Sequence, residues 1–413
     1  MSAEDLAEDP RRCSVLIAGG GIAGLETLLA LQDLAEERVD ITLLAREPEF
    51  TYRPMIVEEP FSRNPAERHD LALLARDLGA SFVQGSLSEI KAQEHRAVLS
   101  DGSELGYDVA VVCVGAKTRP AYPSATTLRS WAEPIEIDEA LDNAANHESR
   151  TLTFVVPPGI VWSLPLYELA LLSRIRAEER RLSVEIEIIT PESKPLGIFG
   201  PAAADAVAEI LSLRRIKVRC DTSLIEREGE FLAMPGWKRV ETGAVIALPL
   251  MSGPRISGLP ADSDGFIPID EFAEVPGVQD VFAAGDGTIF PIKQGGLGTQ
   301  QADAAAEMIA SRTGAPVDPQ PFRPTLRGKL ITGSESLNLT SEISGGGGEG
   351  VASPYYLWWP PKKVAGKYLA PFLDGVTTRF EALPPDGLLD VEVSVAQDWH
   401  SQPMALDPVD PVR

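Results

Sequence analysis

Apolar residues along the chain fall into two alternating kinds of run. Ser14–Ala18, Asp40–Leu44 and Tyr107–Val114 are nearly unbroken, without the in-out alternation of a half-solvated strand, and read as strands covered on both faces. Between the first two, Gly24–Ala35 carries its apolar residues at helical spacing, which completes a strand–helix–strand unit. Leu71–Leu78 predicts a short helix and Ser81–Gln84 a strand, while Arg96–Leu99 and Glu104–Leu105 flank the Asp101-Gly102 turn as a hairpin. A second series follows the Pro-rich crossing Pro120–Pro134: strand Thr151–Val156, helix Leu166–Arg180, strand Val184–Ile189, helix Ala202–Leu213 and strand Ile216–Arg219. Gly265–Glu271 then leads back to a last strand within Val278–Asp286.

The fold class predicted is α/β, with two Rossmann-like dinucleotide-binding domains, the first interrupted by the second, and a C-terminal region. The boundaries expected are an acidic tail over 1–12, the first domain over 13–119 and 276–314, the inserted domain over 120–275, and a C-terminal lid or interface region over 315–413. Gly345–Gly348 reads as a hairpin tip or loop, and the stretch from Pro384 is Pro/Asp-rich.

The first strand ends in Gly19-x-Gly21-x-x-Gly24 and opens directly into a helix. Gly19 permits the tight turn, Gly21 lets backbone approach a pyrophosphate, and Gly24 lets the helix sit close on the strand. The amides at the helix start, including those of Ile22 and Ala23, then hold the anion. Near the other end, Val278–Asp286 terminates in Gly285-Asp286 and is followed by a glycine loop, Lys293 to Leu297, and the Ala-rich helix pattern to Ala306. Strand, Gly-Asp, glycine loop and helix resemble the second flavin-binding motif of the two-dinucleotide-fold flavoproteins. That resemblance implies an aspartate on the ribityl chain and a helix N-terminus at the flavin pyrimidine edge. Val109–Ala116, ending in Val114-Gly115-Ala116, stands where that family's chain leaves the flavin domain. Three motifs in order imply FAD.

From about Ser14 to Phe372 the chain resembles the sulfide:quinone oxidoreductases, flavocytochrome c sulfide dehydrogenases and type II NADH dehydrogenases, within the FAD-dependent pyridine nucleotide-disulfide oxidoreductase-like proteins. Phe50-Thr-Tyr-Arg-Pro54 is similar to the family's aromatic-x-x-x-Pro segment, and Lys293-Gln-Gly295 to its Lys-Thr-Gly segment. The cofactor contacts this implies are Gly19, Gly21, Ile22, Ala23, Gly24, Ala45, Arg46, Arg53, Leu87, Val114, Gly115, Gly285, Asp286, Lys293, Gly295, Gly296 and Leu297. No acid follows Leu43-Leu44 to hold the adenosine ribose; Ala45 and Arg46 stand there, and Arg46 reads equally as an adenine or phosphate contact and as a solvated cation. Lys293 likewise has two readings, a charge beside the flavin ring or a surface lysine.

The chain departs from its relatives in two places. At the loop where type II NADH dehydrogenases carry a second GxGxxG, it reads Phe154-Val-Val-Pro-Pro-Gly-Ile-Val-Trp-Ser163. Pro157 and Pro158 lack N–H donors, and Trp162 and Leu164 take space that glycine would leave. Thr190-Pro191 offers no acid for a ribose. Sulfide:quinone oxidoreductases carry redox cysteines beside the flavin, whereas Pro157–Glu168, Leu128–Glu133 and Arg327–Gly333 contain none. A thiolate is needed to attack or relay sulfur, so that chemistry is not expected.

Composition narrows the picture further. A length of 413 residues accommodates two or three domains. A formal charge of −24 disfavours nucleic acid and anionic lipid as partners. No apolar run is long enough to span a membrane and no charged-then-apolar leader opens the chain, so the expected location is cytoplasmic. Cys13, Cys113 and Cys220 read as structural, and His69, His95, His147 and His400 lack ligand spacing, so no metal is expected.

The function expected is an FAD-dependent oxidoreductase serving a small electron donor or acceptor, a quinone being the first candidate, without a redox disulfide and with unassigned catalytic residues. The alternatives are an NAD(P)H dehydrogenase with a degenerate nicotinamide site and a non-catalytic flavin-binding sensor or subunit. Tyr355–Trp359 with Lys362, Lys363, Tyr368 and Phe372 reads either as an interfacial patch for peripheral membrane contact or as lid packing. A homodimer is compatible with the sequence but not specified by it.

Overall fold

The computed structural model describes residues 12–128, 136–343 and 350–380, with side chains to 375; the N-terminal tail to residue 11, Gly345–Gly348, Pro384 onward and most of Leu128–Glu133 lie outside the described residues.

The first sheet has five parallel strands in the order Val281–Ala283, Val109–Val112, Cys13–Ala18, Val39–Ala45 and Ser81–Gln84. Its unbroken apolar runs are explained by cover on both sides. On one face Val15 and Ile17 meet Leu25, Leu28 and Leu31 of helix Ile22–Leu34 and Ala302, Ala305 and Ile309 of helix Gly295–Arg312. On the other, Leu16, Leu44, Ala110 and Val112 meet Leu87, Ala97 and Leu99 of an antiparallel three-stranded sheet. The alanines let the two helices approach each other closely.

The second sheet is also parallel, in the order Thr126–Thr127, Ala244–Ala247, Thr151–Val155, Glu185–Ile189 and Ile216–Arg219. Helix Leu164–Glu179 covers it and also supports the strands Thr325–Leu330 and Leu337–Glu342 through Leu326, Leu330 and Leu339. The antiparallel pair Lys117–Arg119 and Leu250–Ser252 carries the chain out of the first α/β unit and back.

The observed elements follow the sequence pattern with shifted ends. The strand expected across Val278–Asp286 is confined to Val281–Ala283, because Asp280 has φ 54° and turns the chain just before it. The 3₁₀ segment Arg53–Phe61, helix Ile137–Asn146, hairpin strands Ser223–Arg227 and Glu230–Met234, and the antiparallel sheet ending in Val351–Ser353 were not foreseen. They are short or amphipathic pieces whose form depends on the surface they meet.

Candidate functional site

The first glycine turn is tight where it meets protein and open where it does not. Gly19 has φ +130°, and a Cβ there would lie 2.2 Å from the Cys113 carbonyl oxygen. A Cβ on Gly24 would lie 1.8 Å from the Gly19 oxygen, so only glycine lets the helix start against the strand. At Gly21 an added Cβ would meet nothing within 4 Å. Gly21 is the N-cap, no side chain caps the helix, and its first turn holds no acid. The first helical bond is donated by Leu25 to Gly21, leaving the amides of Ile22, Ala23 and Gly24 without an intrahelical acceptor. Those amides and the positive end of the helix dipole make an anion seat.

A second helix start is brought to the same place. A Cβ on Gly298 would sit 3.1 Å from Gly285 Cα, and one on Gly285 (φ +84°) 3.2 Å from Ala23 Cβ. Gly295 packs on Ile22, where a Cβ would be 2.9 Å from Ile22 Cδ1. Gln294 accepts from the Leu297 amide at 2.8 Å, and Gln301 accepts from the Gly285 amide at 2.8 Å. These contacts fix Gly285-Asp286, Gly295, Gly296 and Leu297 beside the first glycine turn. Val114-Gly115 joins them: Gly115 has φ +73°, and a Cβ on it would meet nothing within 4 Å, while one on Gly287 would lie 3.1 Å from the Gly115 oxygen.

Asp286 is part-buried at this junction. Burial pushes its carboxyl above the ordinary range, opposed by the positive charges of Lys293 and Arg53. Arg53 also lies in electrostatic range of Arg46 and Glu47. Ala45, at the end of its strand, is buried beside Gly20, and Arg46 is exposed and paired with Glu47 at 2.8 Å. Leu87 is a buried side chain among Leu16, Leu44 and Leu99. Lys293 is not a freely solvated lysine. Its ammonium donates to the Thr288 carbonyl and lies 3.7 Å from the centre of the Phe266 ring, and burial lowers its pKa to about 8.

Beside this junction lies a buried ion pair that no motif announced. Glu168, on helix Leu164–Glu179, is fully buried. It accepts from Lys363 Nζ at 2.6 Å and from the Ile331 amide at 2.9 Å. Lys363, only 8% exposed, also donates to the Pro54 carbonyl at 2.8 Å. Burial pushes the Glu168 carboxyl up to about 6 despite the attraction of Lys363, with Glu58 nearby adding to the rise. The next residue, Val364, donates its amide to Tyr52 Oη at 2.7 Å and packs on Gly295. The pair is thereby placed next to the start of the second helix. Its one sequence signal was Lys363 itself, within a segment that reads either as an interfacial patch or as lid packing.

The corresponding turn of the second sheet is closed. Trp162 stacks edge-on against Phe199 at 5.9 Å. The acid that follows Thr190-Pro191, Glu192, faces inward. Glu192 accepts from Ser163 Oγ at 2.9 Å, Tyr167 Oη at 2.7 Å and Thr190 Oγ1 at 2.8 Å. Ser163 is the N-cap of helix Leu164–Glu179, so an internal carboxylate stands at the helix start where a bound pyrophosphate would.

Cys113 is buried and its thiol is pushed up to about 12, while Cys220 is raised by burial and the neighbouring Glu192. The aromatic segment divides. Trp358 is buried and donates to the Lys362 carbonyl at 2.9 Å, whereas Tyr355, Tyr356 and Trp359 are 74%, 60% and 69% exposed. Among the described residues no helix is long and apolar enough to cross a membrane, and no group of three metal-ligating side chains occurs.

No protein-family model matches the chain. It is 28% identical over 104 residues to the mitochondrial sulfide:quinone oxidoreductase of Dictyostelium discoideum, covering 24% of this chain and 23% of that protein. It is 24% identical to the alternative NAD(P)H-ubiquinone oxidoreductase C1 of Arabidopsis thaliana, across 67% of this chain and 62% of the relative. The matches thus span less than two thirds of either curated relative. Among solved structures, the sulfide:quinone oxidoreductase of Aquifex aeolicus superposes with a TM-score of 0.74 at 18% identity, covering 89% of this chain and 90% of that one. A ferredoxin reductase from Rhodopseudomonas palustris gives 0.61 at 16% identity, covering 81% and 83%. The chain has the fold of these reductases, and the resemblance read from its motifs holds.

Proposed function

We propose that this chain is an FAD-dependent oxidoreductase that exchanges electrons with a small quinone-type partner and uses no redox disulfide. The observation that carries this reading is the meeting of two helix starts and Asp286 around open ground at Gly21 and Gly115. The residues present fit FAD. The amides of Ile22, Ala23 and Gly24 would take the pyrophosphate, Asp286 the ribityl hydroxyls, and the start of helix Gly295–Arg312 the pyrimidine edge. When bound, FAD supplies two-electron redox chemistry.

The chain's own groups support a quinone-type partner. Reducing a quinone consumes two protons with two electrons, so the site needs a proton store shielded from water. Glu168, raised to about 6, holds or releases a proton near neutrality, and Lys363 lies between it and the Pro54 carbonyl. The sulfide:quinone and NAD(P)H-ubiquinone oxidoreductases among its relatives are quinone enzymes by name. Glu192 and Pro157-Pro158 argue against NAD(P)H as the donor, and the raised pKa values of Cys113 and Cys220 argue against thiolate chemistry.

An anaerobic screen of the purified yellow protein against NADH, NADPH, sulfide and quinols tests the reading. Quinol should reduce the bound flavin, and quinone should reoxidise it. A colourless protein that takes up no FAD would overturn the cofactor assignment. Rapid saturable reduction by NADH would favour the dehydrogenase alternative.

A further inference from the structure

Glu26, two residues beyond Gly24, is fully buried and has no cationic ion-pair partner among the described residues. Its oxygens instead accept the backbone amides of Tyr368 and Leu369, each at 2.8 Å, more than three hundred residues along the chain. Leu369 begins helix Leu369–Phe380, so the carboxylate satisfies amides that the helix itself leaves unpaired and lies at the positive end of its dipole. The chain passes so close that a Cβ on Gly366 would lie 2.5 Å from Glu26 Oε2.

Asp303, on helix Gly295–Arg312, faces Glu26 in a carboxyl–carboxyl hydrogen bond, which requires the two side chains to share one proton. Its Oδ1 is buried without a hydrogen-bond partner. Burial, then the neighbouring charge of Glu26, drives the Asp303 carboxyl well above the ordinary range. The other charged groups facing the pair are Lys367 and Glu307, which bridge at 3.5 Å, and Tyr368, which also feels Asp33. Only a few residues upstream, the same strap carries Lys363 to Glu168 and Val364 to Gly295.

We propose that Glu26 is a positioning residue: with Asp303 beside it, it clasps the strap Lys363–Leu369 onto the two cofactor-facing helices and so holds Lys363 at Glu168. Loss of the shared proton sets two buried carboxylates side by side, and the clasp loosens. The functional consequence rests on the quinone reading above, but the clasp does not.

Hydrogen exchange of the full-length, FAD-loaded protein tests it. Glu26→Gln keeps one acceptor oxygen but sets its NH2 against the other of the Tyr368 and Leu369 amides, so exchange over 363–372 should rise at least about tenfold with strand Cys13–Ala18 unchanged. Asp303→Asn keeps a donor toward Glu26 without an ionisable proton. It should keep the strap protected and remove any loss of protection at alkaline pH beyond the intrinsic rate. Unchanged exchange in Glu26→Gln, or an opened strap in Asp303→Asn, would overturn the clasp. If Glu26→Gln does not fold, the Asp303→Asn pH series decides alone. A strap that opens in Glu26→Gln while quinone reoxidation keeps its wild-type rate and pH profile would leave the clasp standing and reject the role given to Lys363.

Discussion

The two parallel sheets of this molecule each end a central strand in a turn that opens into a helix, and only one turn is left open. After Cys13–Ala18, glycines bring strand, helix and the Gly285-Asp286 turn together and leave three amides without an intrahelical acceptor or a side-chain cap. After Thr151–Val155, two prolines remove donors, Trp162 packs on Phe199, and Glu192 stands at the helix start. The backbone frame is common to both. What differs is whether the chain has already satisfied its own anion seat. A nucleotide would have to displace a carboxylate held by three hydroxyls, a loss of charge-assisted bonds worth ~1.5–3 kcal/mol apiece. Fold therefore predicts two dinucleotide sites where the side chains support one.

The largest effect expected on this contrast comes from Gly21→Val, which fills the open turn. The variant should purify without FAD, as read by its absorbance, and should not recover it on reconstitution. Retention of stoichiometric FAD would mean the pyrophosphate is held elsewhere.

Next in size is the buried pair. Glu168→Gln and Lys363→Met should each slow quinone reoxidation by at least about tenfold while leaving FAD bound, measured by stopped flow. The pH dependence has a definite sign. The Glu168 carboxyl is raised in the folded protein from 4.5 to about 6, so its contribution to stability is present at pH below 4.5 and is lost as pH rises through about 6. Chemical denaturation of Glu168→Gln should lack that decline, which a shift of this size limits to about 2 kcal/mol.

NADH sharpens the comparison from the other side. The wild-type flavin should be reduced slowly or not at all, because the second turn is occupied. Fast reduction at micromolar NADH would show that Glu192 yields readily. Replacing Cys13, Cys113 and Cys220 together should cost stability at buried Cys113 but leave flavin reactivity intact; a folded variant without turnover would expose a thiol mechanism.

The smallest effect is expected for Lys293→Met. Its ammonium is held by Thr288 and Phe266 rather than by solvent, and it lies in electrostatic range of Asp286. Removing that charge should lower the flavin midpoint potential by about 30 mV, equivalent to ~1.4 kcal/mol for a two-electron couple. An unchanged potential would leave the start of helix Gly295–Arg312 as the electrostatic influence on the ring.

Local sequence determined the frame and the open turn. Unbroken apolar runs make strands covered on both faces, and glycine spacing reports where backbones must touch, because a Cβ at Gly19 or Gly24 has nowhere to go. These are short-range steric facts that a sequence states directly. The inward turn of Glu192, the hold on Lys293, the Glu168–Lys363 pair and the Glu26–Asp303 clasp were decided only by tertiary structure. Each joins an ionisable side chain to groups from another part of the chain, and a carboxylate on a helix pattern looks the same whether it will be solvated or buried. Its charge, proton and partner are set by desolvation and by what the fold brings within hydrogen-bond reach, and neither quantity exists until the chain has closed on itself.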